Sequence, residues 1–318
     1  MQDPIEIHIS VVIPVYNAGN TLPELAQRLR AALEAPGRDF EVILVDDGSR
    51  DESWPVIRRL SGEDPRIRGI GLMRNYGQHN ALLAGIMSAR GETIVTIDDD
   101  LQNPPEEIPK LLEKLEEGYD VVYGVPARKR HNLGRRVGST MIRLILRAAL
   151  GEEIARNISS FRALRSPVRA AFQGYRGAFI IIDAPLAWAT TRFGAVTVRH
   201  DWREGSKSNY NFRRLLFQAL NALFGFSVRP LKFASLLGFG LTLFGVGVMA
   251  YVVGRYLILG YSMPGFPFLA SIISIFSGTQ LLVLGITGEY LSRMYFRIMG
   301  RPGSIVRETT GGARKRTP

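Results

Sequence analysis

The chain has 318 residues, 46% of them hydrophobic types and 22% charged, which excludes a disordered polypeptide and exceeds what one small core holds. Forty Lys plus Arg against 29 Asp plus Glu give a formal charge of +11, so polyanionic partners are favoured: nucleic acid, anionic lipid or phosphorylated small molecules. There is no cysteine, which excludes disulfide scaffolds, thiolate metal sites and cysteine nucleophiles together.

In chain order, short β-branched runs alternate with helical stretches. His8 opens the strand HISVVIPV, followed by a helix near Thr21 to Glu34; EVILVDD is followed by a helix near Glu52 to Leu60; RIRGIGL by a helix near Gln78 to Ala89; then comes ETIVTIDDD. This alternation predicts parallel βαβ units in an open α/β sheet, with ligands outside the carboxyl ends of the strands. Pro105 to Glu117 reads as a further helix and Asp120 to Gly124 as a further strand. Met1 to Glu6 has two acids and no basic segment, so no secretory signal is expected.

Two later stretches, Phe233 to Gly254 and Phe266 to Gly288, contain no charged residue. As helices each reaches roughly 33 Å, enough for a hydrocarbon core of about 30 Å. Arg213, Arg214, Arg229 and Lys232 precede the first, and Arg293, Arg297 and Arg301 follow the second, whereas the loop between them offers Arg255 alone. The positive-inside bias therefore places both long flanks in the cytoplasm. The expected organisation is a catalytic unit over 1–230, a two-span hairpin over 231–292 and a basic cytoplasmic tail over 293–318.

Neither a dinucleotide fingerprint nor a P-loop is present, and the four histidines, His8, His79, His131 and His200, lack metal-ligand spacing and read as loop or surface residues. A metal would be held by oxygen. Asp98, Asp99, Asp100, Leu101 and Gln102 end the apolar run ETIVTIDDD. In an extended chain residues two apart face the same way, so Asp98, Asp100 and Gln102 are expected on one side, suited to Mg²⁺ or Mn²⁺ and a diphosphate, with Asp99 directed elsewhere. Helix capping explains one such acid but not the group. Asp46 and Asp47 in VDDGS end an earlier strand at the same rim, and Pro14, Tyr16 and Asn17 in IPVYN end the first.

The order VVIPVYN, VDDGS, IDDDLQNPPE and REGSKSNY resembles family-two glycosyltransferases of the GT-A fold, and more closely the polyprenyl-phosphate glycosyltransferases with two C-terminal spans. The resemblance runs from about His8 to Arg307. It implies a GT-A (Rossmann-like) nucleotide-sugar-binding domain followed by amphipathic interface helices and two transmembrane helices. By the same resemblance, Pro14, Tyr16, Asn17, Asp46, Asp47 and Asp98 would meet the nucleotide, and Asp98, Asp100 and Gln102 the metal. Arg128, Arg135, Arg203 and Lys207 would hold the acceptor phosphate, with Asp100, Arg128, Arg203 and Lys207 carrying catalysis.

The implied enzyme is a metal-dependent polyprenyl-phosphate glycosyltransferase of the hexosyltransferase class. Its donor is a nucleotide sugar, UDP favoured over GDP, its acceptor polyprenyl phosphate, and no nucleic acid takes part. It would be an integral membrane protein with both termini cytoplasmic, in the cell inner membrane if bacterial, and self-associating. Gly238, Gly240, Gly245 and Gly247 supply small residues on the first span for that purpose. Two departures stand out: Ser208 is followed by Asn209 rather than lysine, with Lys207 before it, and Asn157 occupies a place where relatives often carry aspartate before Phe161 and Arg162.

Basic amphipathic stretches over Asn132 to Leu150 and Tyr210 to Arg229 are expected to lie at the bilayer interface. A processive polysaccharide synthase ranks second, because the expected Q-x-x-R-W motif is missing. A non-enzymatic basic adaptor would leave the convergent acids unexplained.

Overall fold

The computed structural model describes residues 7–34, 39–127, 157–175, 180–201, 229–259, 265–300 and 302–311. Strand β1 (Ile9–Val15) leads through α1 (Leu22–Glu34) to β2 (Phe40–Asp46), and α2 (Ser53–Glu63) leads to β3 (Ile67–Leu72). Helix α3 (Gln78–Ser88) then crosses to β4 (Thr93–Thr96), and α4 (Ile108–Glu116), entered by a 3-10 turn at Pro105–Glu107, precedes β5 (Val121–Pro126). β6 (Arg162–Arg165), α5 (Asp183–Ala189) and β7 (Phe193–Val198) follow. Two long helices, α6 (Arg229–Leu259) and α7 (Phe266–Ile298), come before β8 (Val306–Thr310).

The eight strands form one sheet in the order β7-β5-β6-β4-β1-β2-β3-β8. β1 and β2 are buried along their whole length, as parallel strands covered on both faces must be, and this is why they read as unbroken apolar runs. Alternate residues feed two cores. Val11, Ile13 and Val15 of β1 face the side covered by α1, α2 and α4, and Val12 faces the side covered by α3 and α5. On α1, Leu22, Leu25, Ala26, Leu29 and Leu33 recur at helical spacing and form its buried stripe.

The sheet is mixed rather than wholly parallel. β1 pairs in parallel with β2 and β4, and β2 with β3, as the βαβ reading requires, but β6 runs antiparallel to both β4 and β5. The segment expected to be tail also differs from expectation. Val306–Thr310 is β8, antiparallel to β3 at the sheet edge. Its polarity disguised it: an edge strand with one solvated face needs no apolar run.

Among the described residues one helix, over Pro230–Arg255, is long and apolar enough to cross a membrane, with a mean hydropathy of 2.1 and none of that window buried. α7 packs against α6 and also exposes large apolar side chains, including Leu281, Leu282 and Leu284. Of the four glycines expected to serve self-association, Gly245 faces Phe276 of the neighbouring helix, while a Cβ at Gly238, Gly240 or Gly247 would meet open space.

Candidate functional site

β1 continues outward through β2 to β3, whereas β4 lies on the other side of β1. The chain therefore reverses between β1 and β4, and the carboxyl ends of the strands open a crevice at that switch point. One contact spans it: the Tyr16 amide, just past β1, donates to Asp99 Oδ2, just past β4, at 3.1 Å. Thr21 Oγ1 ties the same corner by donating to the Asp99 carbonyl at 2.8 Å. Burial pushes the Asp99 carboxyl up to about 6, against the Tyr16 N–H and with help from neighbouring Asp100 and Asp98.

The acids after β2 divide the work. Asp47 organises backbone, since its two oxygens accept the amides of Tyr76 and Gly77 at 2.7 and 2.8 Å and so fix the entry to α3. Asp46 accepts the Ser49 amide at 3.3 Å through Oδ1, while its buried Oδ2 has no hydrogen-bond partner among the described residues. Burial raises both carboxyls above the usual range. Gly48 between them and Ser49 sits at φ 68°, and a Cβ there would fall 2.6 Å from the Arg74 carbonyl carbon, so only glycine lets the two loops approach. Asn17, at φ 54°, donates its amide to Ser49 Oγ at 3.0 Å and accepts the Arg50 amide at 2.9 Å, closing the loop after β1 onto the loop after β2. The Tyr16 side chain remains exposed at the rim.

Beside the switch point lies a cavity of about 310 Å³, lined among others by Asp98, Asp100, Gln102, Asn103, Ser160 and His200. Asp98 accepts Gln78 Nε2 at 2.7 Å on one oxygen and Ser160 Oγ on the other. Both partners are neutral, and burial again raises the carboxyl, Asp100 adding to the effect. Asp98, Asp100 and Gln102 thus face one space and Asp99 another, as expected, but not by strand alternation. β4 ends at Thr96, Asp99 and Asp100 form a turn, and Leu101 adopts φ 61°. The turn is held by the Gln102 amide donating to Asp100 Oδ1 at 3.1 Å, and Leu101 carries the strain of the left-handed backbone.

Three lining residues, Ser160, Asn103 and His200, and one partner of Asp98, Gln78, escaped the reading of the sequence. Ser160 was legible only as a neighbour of Phe161 and Arg162, and Gln78 only as a helix start. Asn103 and His200 meet across the cavity, with Asn103 Oδ1 3.3 Å from His200 Nδ1, although more than ninety positions separate them. His79 is half-buried on α3, where its Nδ1 lies 3.5 Å from the Ile182 amide, and desolvation lowers its pKa. Arg162 is itself buried and ion-paired with Asp183, which also accepts the Tyr123 hydroxyl at 2.8 Å, so its charge is already engaged. Asn157 is not among the residues lining the cavity, although its neighbours Ile158, Ser159 and Ser160 are. Arg128, Arg135, Arg203, Lys207 and both expected interface stretches lie outside the described residues.

Among the described residues, no three His, Asp or Glu side chains gather into a ready cage for a metal ion. Asp98, Asp100 and Gln102 nevertheless offer oxygen to the cavity, and Mg²⁺ is commonly held by one or two carboxylates with substrate phosphates completing its shell. Asp98 and Asp100 fit that pattern.

The fold and the acids at its switch point define a class: residues 10–172 match the family described as glycosyl transferase family 2, and the chain belongs to that family. The resemblance drawn from the order of motifs is thereby borne out. Among its relatives is a protein of Shewanella sediminis named undecaprenyl-phosphate 4-deoxy-4-formamido-L-arabinose transferase, 39% identical over 96% of this chain and 95% of the relative. A protein of the same name in Pseudomonas paraeruginosa is 36% identical over 99% and 94% of the two chains. Similar solved structures include Mycobacterium tuberculosis glucosyl-3-phosphoglycerate synthase with Mn²⁺ and UDP-glucose, with a TM-score of 0.47 and 20% identity over 69% of this chain and 80% of that one.

Proposed function

We propose that the protein transfers a sugar from a UDP-linked donor to polyprenyl phosphate at the cytoplasmic face of a membrane, with inversion at the anomeric carbon. The observation that carries this reading is the cavity at the switch point, where Asp98 and Asp100 face one polar space and the direct partners of Asp98 are neutral. Among the described residues that line it there is no Arg or Lys, and such a lining suits a divalent cation that arrives with a diphosphate. The acceptor class follows from the full-length relatives, whose match includes the stretch with the long helices.

In this reading Asp98, Asp100 and Gln102 surround Mg²⁺ or Mn²⁺, which supplies charge neutralisation for the departing nucleoside diphosphate. Pro14, Tyr16, Asn17, Asp46 and Asp47 form the nucleoside side of the crevice, and Arg128, Arg135, Arg203 and Lys207 hold the acceptor phosphate. A phosphate monoester has its second pKa near ~6 and is largely dianionic at neutral pH, so it needs no strong base. Asn157 in place of a carboxylate is compatible with that chemistry. The contribution of the chain is then to hold two mutually repelling phosphates in line. α6 and α7 cross the bilayer as a hairpin, the basic flanks remaining cytoplasmic.

The test is to incubate purified protein, undecaprenyl phosphate and Mg²⁺ with a panel of nucleotide sugars. UDP-4-deoxy-4-formamido-L-arabinose, a pentose rather than the hexose expected from the motifs, goes first, and products are identified by mass spectrometry. A glycolipid with inverted configuration is expected. Absence of glycolipid from every donor would refute the reading, and a retained configuration would refute its mechanism.

A further inference from the structure

The strand that returns after the long helices does more than close the sheet edge. β8 pairs with β3 at Gly69↔Thr310, Ile70↔Thr309 and Gly71↔Glu308, and then the register shifts so that Leu72 faces Val306. Arg307 is the extra residue of this bulge. Bulges redirect a side chain at the point where the ladder slips, and they recur beside active sites. Here the Arg307 guanidinium lies over the Trp54 ring, 5.6 Å from its centre, on the α2 side of the sheet.

The glycines of IRGIGL make room for that arrangement. A Cβ at Gly71 would meet three atoms of the Trp54 ring at 3.2 to 3.3 Å, and one at Gly69 would fall 2.4 Å from Ile57 Cγ2. The indole therefore lies flat on bare backbone. Across the ladder Gly71 pairs with Asp46, so no side chain of β3 stands between Arg307 and that carboxylate on this face. Asp46 Oδ2 and Trp54 Nε1 are both buried and have no hydrogen-bond partner among the described residues.

We propose that β8 is an element of the donor site, with Arg307 a positioning residue that acts through Asp46 to favour binding of the nucleoside diphosphate. This rests on the reading of Asp46 as a nucleoside contact. A carboxylate accepts from a base N–H best when ionised. Burial works against ionisation at Asp46, Ser49 and then Arg307 favour it, and Asp51 opposes it. Arg307 also lies 3.3 Å from Glu308, which reaches Arg58 at 3.7 Å, so the guanidinium is held within a small charge network on the α2 face. The docking is secured independently of that network: Met73 N–H donates to the Ile305 carbonyl at 2.9 Å, and Thr310 Oγ1 to Ser61 Oγ at 2.7 Å. Donor binding thus depends on a residue that follows the membrane-directed helices in the chain.

The experiment titrates the full chain in lipid nanodiscs with UDP and Mg²⁺ by calorimetry, alongside steady-state kinetics. Arg307→Gln should weaken UDP by about tenfold and raise the donor KM in step, leaving kcat and the KM for polyprenyl phosphate unchanged. Arg307→Lys should recover most of the loss. Thr310→Val, which removes the Ser61 contact and keeps Arg307, should bind UDP normally. Hydrogen exchange at the Met73 amide reports whether β8 stays docked. Undiminished affinity in Arg307→Gln, a loss that Lys does not recover, or a loss that merely tracks deprotection of Met73 overturns the proposal. If the unaltered chain binds no nucleoside diphosphate, the glycosyl-transfer reading falls with it; if it binds UDP and Arg307→Gln is indifferent, only the role of Arg307 falls.

Discussion

The two rims of the sheet treat buried carboxylates in opposite ways. At the amino ends of the strands, Glu41 accepts Ser10 Oγ at 2.7 Å and is met by Arg90 at 2.8 Å and Arg68 at 3.0 Å. Asp64 is paired with Arg66 and Arg30, and Asp120 with Arg192 and Thr190. Burial works to raise all three, yet their partners outweigh it and hold each carboxyl below its ordinary value. At the carboxyl ends, Asp46 and Asp47 are buried and Asp98 and Asp99 half-buried, and all four are raised. The amino-end rim neutralises its own acids and so stabilises the fold. The carboxyl-end rim leaves its acids under-compensated, which costs stability and, in the function proposed above, is what a cation and its ligand would relieve.

The comparison can be broken at several points. The largest effect is expected from Asp100→Ala, which should lower glycolipid formation by about 10³-fold or more while the thermal midpoint in detergent stays near that of the unaltered protein. Equal loss of fold and activity would make Asp100 an ordinary structural acid. Glu41→Gln should do the reverse. It leaves the half-buried Arg68 without its counter-charge and should cost about 3 kcal/mol in denaturant unfolding, with activity per folded molecule retained.

The same residue sets an acid limb. The folded-state pKa of Glu41 lies below the unfolded value of about 4.3, so its stabilisation is fully present above that pH and is lost as pH falls through the folded value. Unfolding measured against pH should show this limb flattened in Glu41→Gln.

Smaller changes sharpen the contrast. Ser160→Ala removes one of the two direct partners of Asp98 and should reduce turnover about tenfold with little change in stability, since a hydrogen bond to a charged group contributes about 1.5–3 kcal/mol. A pure stability loss with normal turnover would remove Ser160 from the site. Gly71→Ala, whose Cβ would press on the Trp54 ring, should cost about 1 kcal/mol in unfolding. Tryptophan emission should shift with it, whereas an unchanged spectrum would mean that the indole does not rest on β3.

Much of this was legible in the amino-acid sequence because it is local. Apolar runs ending in acids placed β1, β2 and β4 and pointed to Asp46, Asp47, Asp98 and Asp100, and helical spacing placed α1 to α3 within a few residues. The turn at Asp99 and Asp100 was not legible. An extended chain would have produced the same grouping of side chains, so the correct grouping was reached through the wrong backbone. Ser160 and His200 were missed because they come from segments whose own patterns carry no chemical signature.

What the sequence determined by itself was the inventory: which residues could form strands, which helices were long and apolar, and which acids would stand at strand ends. Side-chain periodicity and turn chemistry act over a few residues, so they survive without knowledge of the rest of the chain. The tertiary structure alone decided the antiparallel insertion of β6, the return of Val306–Thr310 to the sheet, and the partners of each buried carboxylate. Those depend on segments tens to hundreds of residues apart meeting in space. Whether a buried charge is neutralised or left open is fixed by what it meets there, not by the residues beside it in the chain.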